Sequence, residues 1–124
     1  MVNGRLTTAL AIAGASVFAG CAKPPTTPGP PTTTITITAA GVSPKSVQIA
    51  LGARVLFINN DSRSHYIHSD PHPDATGCPE INQIGILQIG DKRETGNFVD
   101  IATCGYHDHD TPSNDTFKGT IVIK

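Results

Sequence analysis

The sequence has no tryptophan, only 5% aromatic residues and a single methionine, Met1, in 124 residues. Its charges nearly cancel, with nine Lys and Arg against ten Asp and Glu. That balance excludes the basic surface on which nucleic-acid binding depends. No Ser/His/Asp order stands in a nucleophile-elbow context, no phosphate-cradling loop occurs and no pair of glutamates marks a cleft. These absences argue against an enzyme. No apolar run reaches the ~20 residues of a membrane-spanning helix, and no stretch carries the i, i+3, i+4 spacing of an amphipathic one. Thr, Ile, Val, Gly and Pro are plentiful instead, a composition suited to an all-β domain with many turns.

The N-terminus reads as an export signal. Arg5 supplies one positive charge and an apolar run follows from Leu6 to Phe18. Phe18-Ala19-Gly20-Cys21 resembles a bacterial lipobox, with Phe18 where Leu is usual. The resemblance implies a signal peptide over 1–20 and lipidation of Cys21, which becomes the mature N-terminus. The protein is then anchored to a membrane of the cell envelope, facing the periplasm or the cell surface. The alternative is an ordinary secretory signal, which would leave a free thiol in an oxidising compartment. The Pro/Thr-rich stretch over 21–33 cannot bury a core. It is expected to be a disordered, extended linker with a reach of roughly 40 Å at ~3.1 Å per residue. The domain over 34–124 remains, roughly 90 residues, enough for one core.

Within that domain Thr34 to Thr38 and Ser46 to Ile49 alternate polar and apolar residues, the period-2 mark of half-buried strands. Arg54 to Asn59 is nearly all apolar, as a central strand would be. Further strands are expected at His65 to His68, Ile84 to Ile89, Glu94 to Val99, Thr103 to Tyr106 and Lys118 to Ile123. Turns fall at Gly41 to Pro44, Leu51 to Ala53 and Asn60 to Ser62. Long loops run from Asp70 to Gln83 and from His107 to Asp115. Short strands at this spacing predict a Greek-key β-sandwich.

All five histidines lie between His65 and His109. They form two groups, His65/His68/His72 and His107/His109, each near a loop at a strand end. Imidazole suits Cu, Zn, Ni and Fe, and two such groups meeting at one pole would build a metal site. Asp61, Asp108 and Asp110 could orient imidazoles, or simply form turns. Asp70-Pro71-His72-Pro73-Asp74 either presents His72 to a metal or is a rigid surface turn.

The stretch Phe57 to His65 and the C-terminal run from Tyr106-His107-Asp108-His109 to Gly119-Thr120-Ile121-Val122-Ile123 resemble the plastocyanin-like cupredoxins. The first stretch ends there in a copper-ligating histidine, which the resemblance places at His65. A blue-copper centre also needs a thiolate and a weak axial methionine, and Met1 leaves with the signal peptide. Two alignments stand open. In one, His65, Cys104 and His107 form the copper plane, with His109 or Asp108 near the axial position. In the other, Asp108 stands in the thiolate's place and Cys104 lies upstream in the barrel wall. Two cysteines in a small exported domain are paired more often than not. A Cys78–Cys104 disulfide would contribute about 3 kcal/mol in the chain-entropy model.

With that bridge, the metal ligands expected are His65, His107 and His109, with His68 and His72 as secondary candidates; without it, Cys104 is a further secondary candidate. The function expected is copper binding through a His-rich site, for copper handling or electron transfer, without catalysis. Zinc, or no metal, is the alternative cofactor state. The partners are the metal ion, the membrane through the lipid anchor, and a redox or metal-transfer protein. The rival reading is a metal-free β-sandwich that serves as an interaction module on the envelope.

Overall fold

The structure, a computed structural model, describes residues 32–124 together with Gly14 and Gly20. The rest of the expected signal peptide, Cys21 and the expected linker up to residue 31 lie outside the described residues. No helix among the described residues is long and apolar enough to cross a membrane.

Among the described residues nine strands make the fold: β1 Thr33–Thr38, β2 Gly41–Ser43, β3 Ser46–Ile49, β4 Val55–Asn59, β5 His65–Ser69, β6 Gly85–Leu87, β7 Lys92–Glu94, β8 Ala102–Asp108 and β9 Gly119–Ile123. They form a four-stranded sheet in the order β2-β1-β4-β7 and a five-stranded sheet in the order β3-β9-β8-β5-β6. The pairs β1/β4 and β3/β9 are parallel and the rest antiparallel. Short 3₁₀ turns at Ile81–Gln83 and Asp115–Phe117 are the only helical elements among the described residues.

The alternating residues do what their period implies. Ile35, Ile37, Val55, Phe57, Ile67, Ile121 and Ile123 point between the sheets and are almost completely buried. Each such side chain contributes roughly 1.5–3 kcal/mol of hydrophobic stabilisation. Phe57 meets Tyr106 edge to face across the core, with ring centroids 5.2 Å apart. The Tyr106 hydroxyl has no hydrogen-bond partner, and burial raises its pKa well above the ordinary phenol range.

The strand expected over Ile84 to Ile89 shortens to Gly85–Leu87, and three further differences from the sequence reading bear on the fold and the site. Gly41–Ser43 is not only a turn but a short strand antiparallel to β1. Gly41 allows it, because its φ of +116° and the Thr116 backbone oxygen beside it leave no room for a Cβ. The strand expected at Glu94 to Val99 lies earlier, at Lys92–Glu94. Beyond it, the Thr95 hydroxyl accepts from the Val55 amide at 3.0 Å, so a side chain takes the place of a ladder carbonyl. The third difference matters most for the site. β8 runs two residues past Tyr106, so His107 and Asp108 are strand residues with set and opposite directions.

Candidate metal centre

β5 and β8 pair antiparallel with Ile67 opposite Asp108, His68 opposite His107 and Ser69 opposite Tyr106. The amides of His109 and Asp70 extend this ladder by one rung at each end, to the Tyr66 and Gly105 carbonyls. Residues alternate across a strand and cross-strand partners share a face. Two sets follow. Ile67, Tyr106 and Asp108 face the core, as His65 does. Tyr66, His68 and Asp70 of one strand, with Gly105, His107 and His109 of the other, face outward.

The inner set is closed on itself. His65 is fully buried, with Nδ1 2.9 Å from Asp108 Oδ2 and Nε2 2.9 Å from Asp61 Oδ2. Asn59 positions Asp61. Its buried amide donates to the Arg63, Leu87 and Gln88 carbonyls and accepts from the Asp61 amide, which shapes the turn after β4. Asp108 also accepts from the Tyr66 and Asp110 amides, the Thr111 hydroxyl and the Arg63 guanidinium. Burial acts to raise the Asp108 pKa, but the Tyr66 amide, His65 and the Asp110 amide together hold it below the ordinary carboxylate range. Asp61 is lowered too, first by the Ser62 amide and also by His65 and Arg63. Phe117 lies against the His65 ring at 4.7 Å, and Arg63 lies over Phe117 at 4.8 Å.

The outer set is open. His72 comes down on it from the loop after β5. One ligand atom from each of His72, His107 and His109 falls within 4.8 Å of the others. With metal–nitrogen bonds of ~2.0–2.1 Å, donors of one ion stand no more than about 4 Å apart, so small rotations of these rings suffice. His107 Nδ1 lies 2.7 Å from Asp70 Oδ1. The carboxylate accepts the Nδ1 hydrogen, which leaves Nε2 as the ring's lone pair; this is how metal-ligating histidines are commonly aimed. Asp70 fits there because the residue opposite is Gly105, where a Cβ would overlap the Asp70 carboxylate. His107 Nε2, His68 Nδ1 and His109 Nδ1 are buried without a hydrogen-bond partner. An unmet buried polar atom costs about 1–3 kcal/mol, and three in one cluster mark a place built for a ligand. Burial lowers the His68 pKa, and the neighbouring His109 and His107 push it the same way.

The structure thus brings His107 and His109 together with His72, and leaves His65 apart. His65 points to the opposite face of the sheet and has both ring nitrogens engaged by carboxylates. Cys104 is bonded to Cys78, as the cysteine count suggested. The blue-copper set does not fit: the Cys104 sulfur is in a disulfide, and His65 and His107 lie on opposite faces. Sequence reasoning missed Asp70 as the residue that aims His107. Its parity with His68 on one strand was the available signal.

No family model matches the chain, and no curated protein matches its sequence. Solved structures do share its fold. A purple cupredoxin from Nitrosopumilus maritimus is 22% identical, with a TM-score of 0.57 over 74% of this chain and 99% of that one. Oxidised plastocyanin from Dryopteris crassirhizoma is 17% identical, with a TM-score of 0.57 over 74% of this chain and all of that one (100%). An amicyanin variant in its Cu(I) form is 15% identical, with a TM-score of 0.55 over 77% of this chain and 85% of that one.

Proposed function

We propose that this cupredoxin-like sandwich is a copper-handling protein that takes its ion on the outer face of the five-stranded sheet, at His72, His107 and His109. One ring nitrogen from each of these three within 4.8 Å of the others carries this reading, and the buried Nε2 of His107 and Nδ1 of His109 have no hydrogen-bond partner. Asp70 supports it by turning the lone pair of His107 toward the cluster. Imidazole donors suit copper and zinc, and copper binds the tighter of the two at a given nitrogen site. The work is holding and handing over an ion, without catalysis. Fast one-electron transfer at a blue centre needs a thiolate, and both cysteines of the sandwich are in the disulfide. The chain acts at the cell envelope, tethered through Cys21 and its Pro/Thr-rich linker, and passes the ion to or from a protein partner.

Thermal unfolding of the purified full chain with and without Cu(II) tests this. A ligand of the native state stabilises it by about 2.7 kcal/mol at a hundredfold excess over its Kd. The melting temperature should therefore climb with copper concentration, and His107→Ala should abolish the climb. No intense visible band should develop. A melting temperature indifferent to copper would overturn the reading and leave a metal-free interaction module.

A further inference from the structure

We infer that His68 is a fourth nitrogen ligand of this site, which makes it an all-imidazole pocket selective for Cu(II) over Cu(I). The inference rests on the outer-face reading above. His68 stands on the rung directly opposite His107, so the two side chains leave the sheet side by side. Its ring is 4.7 Å from that of His109. Tyr66 packs against it edge-on at 4.2 Å and also meets His109 at 5.3 Å, so one aromatic residue backs both imidazoles. The buried Nδ1 of His68 has no partner within the protein. The 4.8 Å group of ligand atoms holds His72, His107 and His109 without His68, so the His68 ring must turn to join it; packing alone accounts for the ring but not for a nitrogen left bare, and a shared ion accounts for that.

The donor set then decides the ion. Cu(I) is selected by soft thiolate and thioether sulfur. The two cysteines here are bonded to each other, and the sole methionine is Met1. Four neutral imidazoles are borderline donors. They suit Cu(II) in a tetragonal arrangement and place Zn(II) behind it in affinity. His68, His107 and His109 stand on or beside paired strands and form a rigid floor, while His72 closes over them from a loop.

Electron paramagnetic resonance of the full chain loaded with one equivalent of Cu(II) tests the proposal, with nitrogen couplings counted by a pulsed method. Four coupled imidazoles are expected in the wild type and three in His68→Phe, which keeps a ring packed against Tyr66. Affinity for Cu(II), measured by chelator competition, should fall at least about tenfold in that variant, since even the partners behind metal ligands are worth 10–100-fold. Three nitrogens in the wild type, or a His68→Phe variant with unchanged couplings and affinity, would overturn the fourth ligand while leaving the three-histidine site standing. Tighter binding of Cu(I) than of Cu(II) would overturn the selectivity. Failure of the wild type to take up copper at all would remove both the inference and the reading beneath it.

Discussion

The two faces of the β5/β8 ladder carry histidines in opposite conditions. On the inner face His65 has a carboxylate against each ring nitrogen, both carboxylates are held ionised by amides and an arginine, and a phenyl ring seals the side. On the outer face, rungs away in the same two strands, three ring nitrogens are buried with nothing to bond. The inner histidine is complete and therefore structural. The outer ones are incomplete, the condition that the proposed ligand site requires. Burial alone does not separate these roles, because His65 and His107 are both almost inaccessible. Satisfaction of hydrogen-bonding capacity does.

Removing one side of this contrast should be far more costly to the apo fold than removing the other. Asp108→Ala strips His65, two amides, Thr111 and Arg63 of a shared acceptor. Breaking a buried charge network in this way costs about 3–5 kcal/mol, read as a lower urea midpoint. A loss under about 1 kcal/mol would mean that the inner network is not what secures that pole.

Acid should sharpen the same distinction. Asp61 and Asp108 have lower pKa values in the folded protein than in the unfolded chain. As pH falls the unfolded chain binds protons first. The stability these two groups contribute is thus present above pH ~4 and is lost as pH drops below it. Urea midpoints measured from pH 5 down to pH 2 should decline, with a shallower slope in Asp108→Ala. Equal slopes would detach the carboxylates from the acid response.

The smallest effect on the apo fold belongs to His72→Ala. His72 is exposed on its loop, and its loss should move apo stability by no more than about 0.5 kcal/mol. It should nevertheless diminish the copper-dependent rise in melting temperature. A cost rivalling that of Asp108→Ala would erase the difference between the faces.

Much of the sandwich was legible in the sequence. Alternation marked β1 and β3, the apolar run marked β4, and two cysteines in an exported domain pointed to the Cys78–Cys104 bridge. The site was legible only in part. The two histidine groups are plain, but their faces depend on strand parity, and the sequence pattern ends β8 at Tyr106. The two-residue difference puts His107 in a loop, where its direction is free, and Asp108 with it. Within a strand the two must diverge. The fate of His65 was hidden for another reason. Its partners lie four and 43 residues away, and the likeness to a copper-binding stretch drew attention to its type rather than its neighbours. Asp70 was obscured by its Pro-rich surroundings, which read as a turn.

The segment that carries Asp70 and His72 has both of its ends on β8. Its start is bonded to Gly105 through the Asp70 amide, and its end is joined to the adjacent Cys104 through Cys78. A loop rooted at two consecutive positions of one strand is a clamped bridge, and it is pinned between its ends by the Ala75 carbonyl, which accepts from the Ser69 hydroxyl and the Asn82 amide. Residues 71–77 therefore cannot be rewritten freely: the Ser69 hydroxyl is buried, and displacing the Ala75 carbonyl would leave it without its partner.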